Sequence, residues 1–444
     1  MTTEPKTLDE TIEERTKAGN YFVSNYPPYS FWSPTQVDRV ISMLARAPDP
    51  ATPLGVYIHI PFCRKRCHFC YFKVYTDKNS TEVESYVDAV VVEAKLYAAQ
   101  PALAGRKPLF IYFGGGTPSY IGSNQLHKLV TGLREAFPWD KAQEIAFECE
   151  PGTLTEGKLK VLKDLGVTRL SLGIENFDET ILNVNGRAHG AKEIDRAYGF
   201  IRSIGFDQLN IDLIAGMVGE TWDNWRENVR RTLAMMPESV TIYQMEVPYN
   251  TTIFAEMKVI GQSSAPVAGW KTKREWVDYA FTELEKAGYT IGSAYTAIRD
   301  PEKTKFLYRD ALWHGADMLG MGVAAFSHVQ GVHFQNEHEF DTYRARVDEG
   351  KLPIYRALEP EKEERLIREL VLQLKLGHLT KSYFADKFGV DIESRFAATF
   401  TPLREAGYLT SDAGILKLNR EGLLRVDALL GDFFLPKHRV ARVV

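Results

Sequence analysis

Residues 57–72, YIHIPFCRKRCHFCYF, run an apolar strand directly into a loop carrying Cys63, Cys67 and Cys70. The 444-residue chain has only four cysteines, and these three lie within eight positions; the fourth is Cys149. A secreted disulfide framework would need more of them, spread along the chain. The trio therefore reads as a metal or redox site. Soft thiolates select iron–sulfur clusters or zinc over hard cations. Three thiolates in C-x3-C-x2-C spacing match three irons of a cubane and leave one iron open to a cofactor. Structural zinc wants four protein ligands, and His59 and His68 are nearby candidates for the fourth, so spacing alone leaves both metals open. Cys149, within a strand, reads as a small buried hydrophobe.

Outward from this loop the first half of the chain repeats one rhythm, a short apolar strand followed by a helix-length amphipathic stretch. Strands are predicted at 55–60, 109–113, 145–149, 169–173, 209–214 and 240–245, with helical stretches such as 83–100, 124–137, 191–205 and 222–236 between them. Strands apolar on both faces suit a parallel sheet covered by helices. The reading is an α/β fold, an open (β/α)6 partial TIM barrel, finished by residues 289–293 and the glycine-rich 317–328. Glu148, Glu150, Glu175, Asp212 and Glu246 fall just after strands, at the carboxyl-end rim where parallel α/β folds build sites.

Past residue 361 the texture becomes mainly helical, with TSDAGILKLNREG resembling a β-wing. The expected division is a covering segment at 1–50, the barrel at 51–345 and a winged-helix-like, substrate-covering domain at 346–444. Residues 361–444 hold 14 Lys+Arg against 12 Asp+Glu and the whole chain has a formal charge of -4, too balanced for a phosphate footprint. Nucleic acid is therefore not an expected partner. No apolar run approaches the roughly 20 residues that span a bilayer, and the charged opening MTTEPKTLDETIEERTK is unlike a signal peptide. The expectation is a cytoplasmic protein with no membrane partner.

The cysteine loop, with GGGTPS (114–119), FECEP (147–151), SLGIENF (171–177), Arg187, NIDLIAG (210–216) and LGMGVAAFS (319–327), resembles the radical SAM superfamily. Within it, the order of motifs is similar to the oxygen-independent coproporphyrinogen dehydrogenase-like (HemN-like) family over nearly the whole chain. The resemblance implies a [4Fe–4S] cluster on Cys63, Cys67 and Cys70 and two molecules of S-adenosylmethionine. It implies that Gly114, Gly115 and Gly116 hold the methionine amino group, and that Tyr57 and Asp212 contact the same cofactor. Glu148, Glu175 and Arg187 would line the space between cofactors. Gly115, Thr117, Phe69, Ile214 and Ala325 would contact the second. A flavodoxin- or ferredoxin-type electron donor is implied as partner.

The chain departs from the dehydrogenase pattern at three places. Phe72 stands where that family has a fourth cysteine, Glu175 replaces a glutamine, and Met245-Glu246 replaces a small residue and histidine. These departures look more like the C-methylating and cyclopropane-forming relatives. The favoured expectation is thus methylene or methyl transfer from a second S-adenosylmethionine to an sp2 carbon of a small molecule, with a companion methyltransferase-like protein as a further partner. Glu175 and Glu246 would orient the sulfonium or move a proton, with Tyr243, Tyr249, Tyr295 and His328 as substrate-side donors. The alternatives are oxidative decarboxylation of coproporphyrinogen III and haem delivery. The aromatic segment YFVSNYPPYSFW (21–32) resembles one that covers the active site in the dehydrogenase and is missing from the haem chaperones.

Overall fold

A computed structural model describes Thr16, residues 26–261 and residues 265–439. Residues 21–25 of the aromatic segment lie outside them. Six strands follow the predicted rhythm: β1 (Leu54–Ile60), β2 (Phe110–Gly115), β3 (Glu144–Cys149), β4 (Arg169–Glu175), β5 (Gln208–Ala215) and β6 (Ser239–Gln244). They pair in parallel in sequence order. The later strands are β7 (Thr290–Ile291), β8 (Thr296–Ile298), β9 (Asp317–Met321), β10 (Phe326–Val329), β11 (Val332–Asn336) and β12 (Ile354–Leu358). The order is β12-β11-β10-β9-β1-β2-β3-β4-β5-β6-β8-β7. β9 adds a seventh parallel strand against β1, whereas β7 and β8 cap the other edge antiparallel. The sheet is an open partial barrel, as its motifs predicted.

Local chemistry sets the covering helices. The helix Ser80–Ala98 begins at Asn79, whose side chain accepts from the N–H groups of Thr81 and Glu82 while Glu82 accepts from Asn79, a reciprocal cap that satisfies otherwise orphaned donors. Val83, Tyr86, Val87, Val90, Ala94 and Tyr97 recur at helical spacing and are buried against the sheet. The helix Ala191–Ile204 ends on Gly205 at φ +76°, the left-handed stop that glycine adopts without strain.

One apolar core fills the barrel and its helices. A second joins residues 366–434 to Ala294, Tyr295 and Tyr26. This carboxy-terminal part comprises short helices and a small antiparallel sheet of β13 (His378–Thr380), β14 (Leu409–Asp412) and β15 (Ile415–Leu418). β12 still belongs to the main sheet, so the sheet runs past residue 345, where the sequence reading divided the chain. No helix among the described residues is long and apolar enough to cross a membrane.

The described part of the amino-terminal segment straps across the sheet edge. Ser33 bridges to Ala357 of β12, the Tyr29 ring stacks on Phe326 at 4.4 Å, and Trp32 stacks on His333 at 5.1 Å. Tyr26 is fully buried against Phe434 and His438. The strap therefore touches both cores.

Phe113 of β2 is fully buried, with its ring 5.1 Å from Phe147. Phe113→Ala should destabilise the barrel by about 3–5 kcal/mol, measurable as a lowered denaturant midpoint with an unchanged slope.

Candidate functional site

The site begins where β1 and β2 end side by side. Gly116 N donates to Ile60 O and Thr117 N to Phe62 O, each at 2.8 Å. Strand-like pairing thus continues past the sheet, along the cysteine loop. A Cβ on Gly116 would lie 3.0 Å from Cys63 Sγ, and one on Gly115, whose φ is +118°, would lie 2.8 Å from the His59 ring. Only glycine allows this approach. Thr117 Oγ1 donates to Cys63 Sγ at 3.3 Å. Cys63 N donates to Tyr75 O, and Cys70 N to Cys67 O. Arg66 closes the loop by donating to the carbonyls of Cys70 (3.1 Å) and Asn250 (2.9 Å).

The donor set around the loop can be described residue by residue. Among the described residues no three His, Cys, Asp or Glu side chains converge on a point that would hold a single ion. His59 is buried beside Tyr57 OH (3.2 Å), and burial pushes its pKa down to about 4. Cys149 belongs to the apolar core. Cys63, Cys67 and Cys70 line one cavity, and three soft thiols on one loop suit an iron–sulfur cluster. Burial, reinforced by neighbouring cysteines, pushes Cys63 up to about 12 and Cys70 up to about 11; a cationic iron centre would hold them ionised.

That cavity measures about 1160 Å³, and it gathers most residues singled out from the sequence. Tyr57, Phe69, Gly115, Gly116, Thr117, Glu148, Glu175, Arg187, Asp212, Ile214 and Ala325 line it, as do Tyr243, Glu246, Tyr295 and His328. Gly114 lies in β2 but is not part of the lining. Tyr249 is brought elsewhere: its ring packs on Phe254 and it is exposed on the surface. Phe72 stacks beside Tyr71, with ring centroids 4.5 Å apart.

The rim carboxylates are held individually. Glu148 accepts from Tyr112 OH at 2.7 Å and Gly115 N at 3.3 Å. Asp212 accepts from Ser171 Oγ (2.7 Å) and Asn210 Nδ2 (2.8 Å). Glu175 sits at φ +64° beside a register shift in β4, an uncommon conformation for a non-glycine residue. Its carboxylate is 3.6 Å from Arg187, which also donates to Gly173 O (2.7 Å) and Cys67 Sγ (3.3 Å). Burial raises Glu148 and Glu175 to about 7 and raises Asp212. Three acids crowded without enough counter-charge favour the arrival of a cation. His328 is one of a pair, its Nδ1 3.1 Å from that of His333, and burial with Arg368 nearby keeps both imidazoles neutral.

Sequence reasoning missed Tyr112, Tyr308 and a set of cations lining the same cavity: Arg169, Arg309, Arg356, Arg368 and Lys375. Tyr112 was accessible from strand alternation, because it shares a face of β2 with Gly114. The cations are scattered from β4 to the carboxy-terminal helices, and no motif connects them.

Comparison with known proteins agrees with this geometry. Residues 57–232 match the radical SAM superfamily and residues 361–425 match the HemN C-terminal domain. The chain is 28% identical over 384 residues to the haem chaperone HemW of Bacillus subtilis, covering 85% of this chain and 98% of that protein. It is 27% identical over 396 residues to the oxygen-independent coproporphyrinogen III oxidase of Escherichia coli, covering 85% and 84%. The solved structure of coproporphyrinogen III oxidase (HemN) from Escherichia coli superposes with a TM-score of 0.80 at 24% identity, over 94% of this chain and 99% of that one. The [4Fe–4S] cluster and S-adenosylmethionine of such proteins fit the three thiols and the glycine edge found here.

Gly116→Ala should lower the iron bound after anaerobic reconstitution to about half or less, read by iron analysis and visible absorption. A second outcome concerns pH. Because Glu148 keeps its proton to about pH 7 when folded and ionises near 4.3 when unfolded, its contribution to stability is complete below about pH 4 and is lost as pH rises through 7. Glu148→Gln should therefore flatten the fall in melting temperature between pH 5 and pH 8.

Proposed function

We propose, from the match of residues 57–232 to the radical SAM superfamily and of residues 361–425 to the HemN C-terminal domain, that this chain oxidatively decarboxylates propionate side chains of a porphyrinogen, with coproporphyrinogen III as substrate. One observation carries the reading: the three thiols share their cavity with Arg169, Arg309, Arg356, Arg368 and Lys375. Burial pushes Arg169, Arg356, Arg368 and Lys375 down from their ordinary values. Arg169 and Lys375 each have a protein carboxylate beside them; desolvated cations are relieved by anions, and a polycarboxylate brings several more at once.

When bound, the cluster and S-adenosylmethionine supply one-electron, hydrogen-abstracting chemistry. Cys63, Cys67 and Cys70 hold the cluster, and the edge at Gly115 and Gly116, which continues from Gly114, offers backbone groups to the methionine moiety. Tyr57 contacts the same cofactor, and Asp212 takes its adenosine side. Glu148 and Glu175, with Arg187, lie between cofactors, where their negative charge suits a sulfonium. Phe69, Thr117, Ile214 and Ala325 form the surface for a second S-adenosylmethionine. Tyr243, Tyr295, Glu246 and His328 face the substrate. Tyr29 borders this space from the strap, with Trp32 stacked behind it on His333. A flavodoxin- or ferredoxin-type protein is the electron donor.

The expected methylene transfer finds no support in the relatives, whose names are those of coproporphyrinogen oxidases and a haem chaperone, and it gives way to decarboxylation. Haem delivery is the second reading, favoured by the match over 98% of the HemW chain. The strap at Tyr29–Trp32 supports catalysis over delivery, being of the kind that the chaperones lack by the family resemblance.

Reconstituted protein given coproporphyrinogen III, S-adenosylmethionine and a low-potential reductant without oxygen should release carbon dioxide together with 5'-deoxyadenosine. Stoichiometric haem binding with no turnover would instead establish the chaperone reading. Deuterium passing from methyl-labelled S-adenosylmethionine into 5'-deoxyadenosine would reinstate methyl transfer.

A further inference from the structure

The cations around the cavity are not equivalent. Arg169 lies 3.7 Å from Glu144, Arg187 3.6 Å from Glu175, Arg309 2.7 Å from Asp310 and Lys375 3.4 Å from Asp427. Each therefore has a carboxylate of the protein beside it. Arg356 is different. Its Nε donates to Gln335 Oε1 at 2.7 Å and its Nη1 to the backbone carbonyl of Tyr29 at 3.1 Å. Both acceptors are neutral, and among the described residues Arg356 has no acidic partner. Of its five N–H donors, the second on Nη1 and both on Nη2 are left for another molecule.

The surroundings hold this guanidinium in place. Gln335 and Arg356 are register partners across β11 and β12. The Gln335 amide is turned by its own donation to Ala324 O at 3.1 Å. β12 is secured by the strap, through Ser33 N to Ala357 O at 2.9 Å and Ala357 N to Ser33 O at 3.1 Å. The Tyr29 carbonyl is placed by the ring stacked on Phe326. Two neutral acceptors thus orient a charged fork without cancelling its charge, in a wall where burial already disfavours an unmatched cation.

We propose that Arg356, oriented by Gln335 and by the strap carbonyl of Tyr29, anchors one carboxylate of the substrate through the Nη1–Nη2 edge. This deepens the polycarboxylate reading above and rests on it. Two parallel N–H donors match the two oxygens of a carboxylate, and the planar guanidinium offers that geometry where an ammonium cannot. Because Tyr29 supplies one of the orienting bonds, the strap and the anchored carboxylate support each other. The site is also specific in what it rejects: an ester removes the charge that the half-buried guanidinium would pair with.

The test uses reconstituted, cluster-loaded protein and coproporphyrin III, the aromatic tetra-acid that does not turn over, with binding followed by fluorescence. Arg356→Met should weaken coproporphyrin III binding about 10- to 100-fold, with iron content and melting temperature unchanged. Arg356→Lys should recover only part of the loss, because it restores charge but not the fork. The tetramethyl ester of the same porphyrin should bind weakly and be indifferent to either change. Equal affinity of the Met variant and the parent for the tetra-acid would overturn the anchor while leaving the decarboxylase reading standing. If the parent protein binds no coproporphyrin III, the porphyrinogen reading fails, and the anchor is judged separately with 3-(pyrrol-3-yl)propionate. That acid should protect Arg356 from phenylglyoxal in peptide mass spectra; lack of protection would overturn the subsite.

Discussion

The backbone seam between the ends of β1 and β2 is the constraint from which the site follows. Parallel pairing does not stop with the sheet: Gly116 and Thr117 go on donating to Ile60 and Phe62 while the chain turns into the cysteine loop. Cys63 is thereby delivered against a glycine edge with no side chains to hold a ligand away. Cys67 and Cys70 follow because the loop is tied at its other points, by Tyr75, Arg66 and the carbonyl of Asn250. A widened sheet or a bulky residue at this seam would separate the thiols from the surface meant to face them.

Around the seam the protein gathers opposite charges without letting them neutralise one another completely. Glu148, Glu175 and Asp212 are half-buried towards the carboxyl ends of their strands, and the desolvation that raises them favours a cation. Cationic side chains from later in the chain line the same cavity and favour anions. A sulfonium cofactor and a polycarboxylate substrate are complementary to that division. The strap borders the same cavity through Tyr29, stacked on Phe326, while Trp32 stacks behind it on His333.

Much of this was legible in the residues. The six parallel strands fall within two residues of their predicted ends because runs apolar on both faces have few other ways to be buried. The rim acids were found because a polar residue closing an apolar strand marks the carboxyl edge of the sheet. Other features resisted. Residues 317–321 read as a finishing segment, but nothing local announced that β9 would pair in parallel with β1 across more than 250 residues. Tyr249 looked like a substrate donor by its place after β6, yet the backbone beyond Pro248 turns it onto Phe254 and outward. His328 looked like a lone donor until the β10–β11 hairpin set it against His333.

The sequence by itself determined the repeating α/β architecture, the thiol trio and the glycine edge. Those depend on spacing within single segments, and short-range spacing is preserved however the chain folds. Only the tertiary structure decided which distant side chains share the cavity. Arg169, Arg309, Arg356, Arg368 and Lys375 carry no common pattern, and each became part of the wall through strand register or helix docking. It also decided which of those cations lie beside a carboxylate, because pairing with Glu144, Asp310 or Asp427 is a matter of a few ångströms that no linear order encodes.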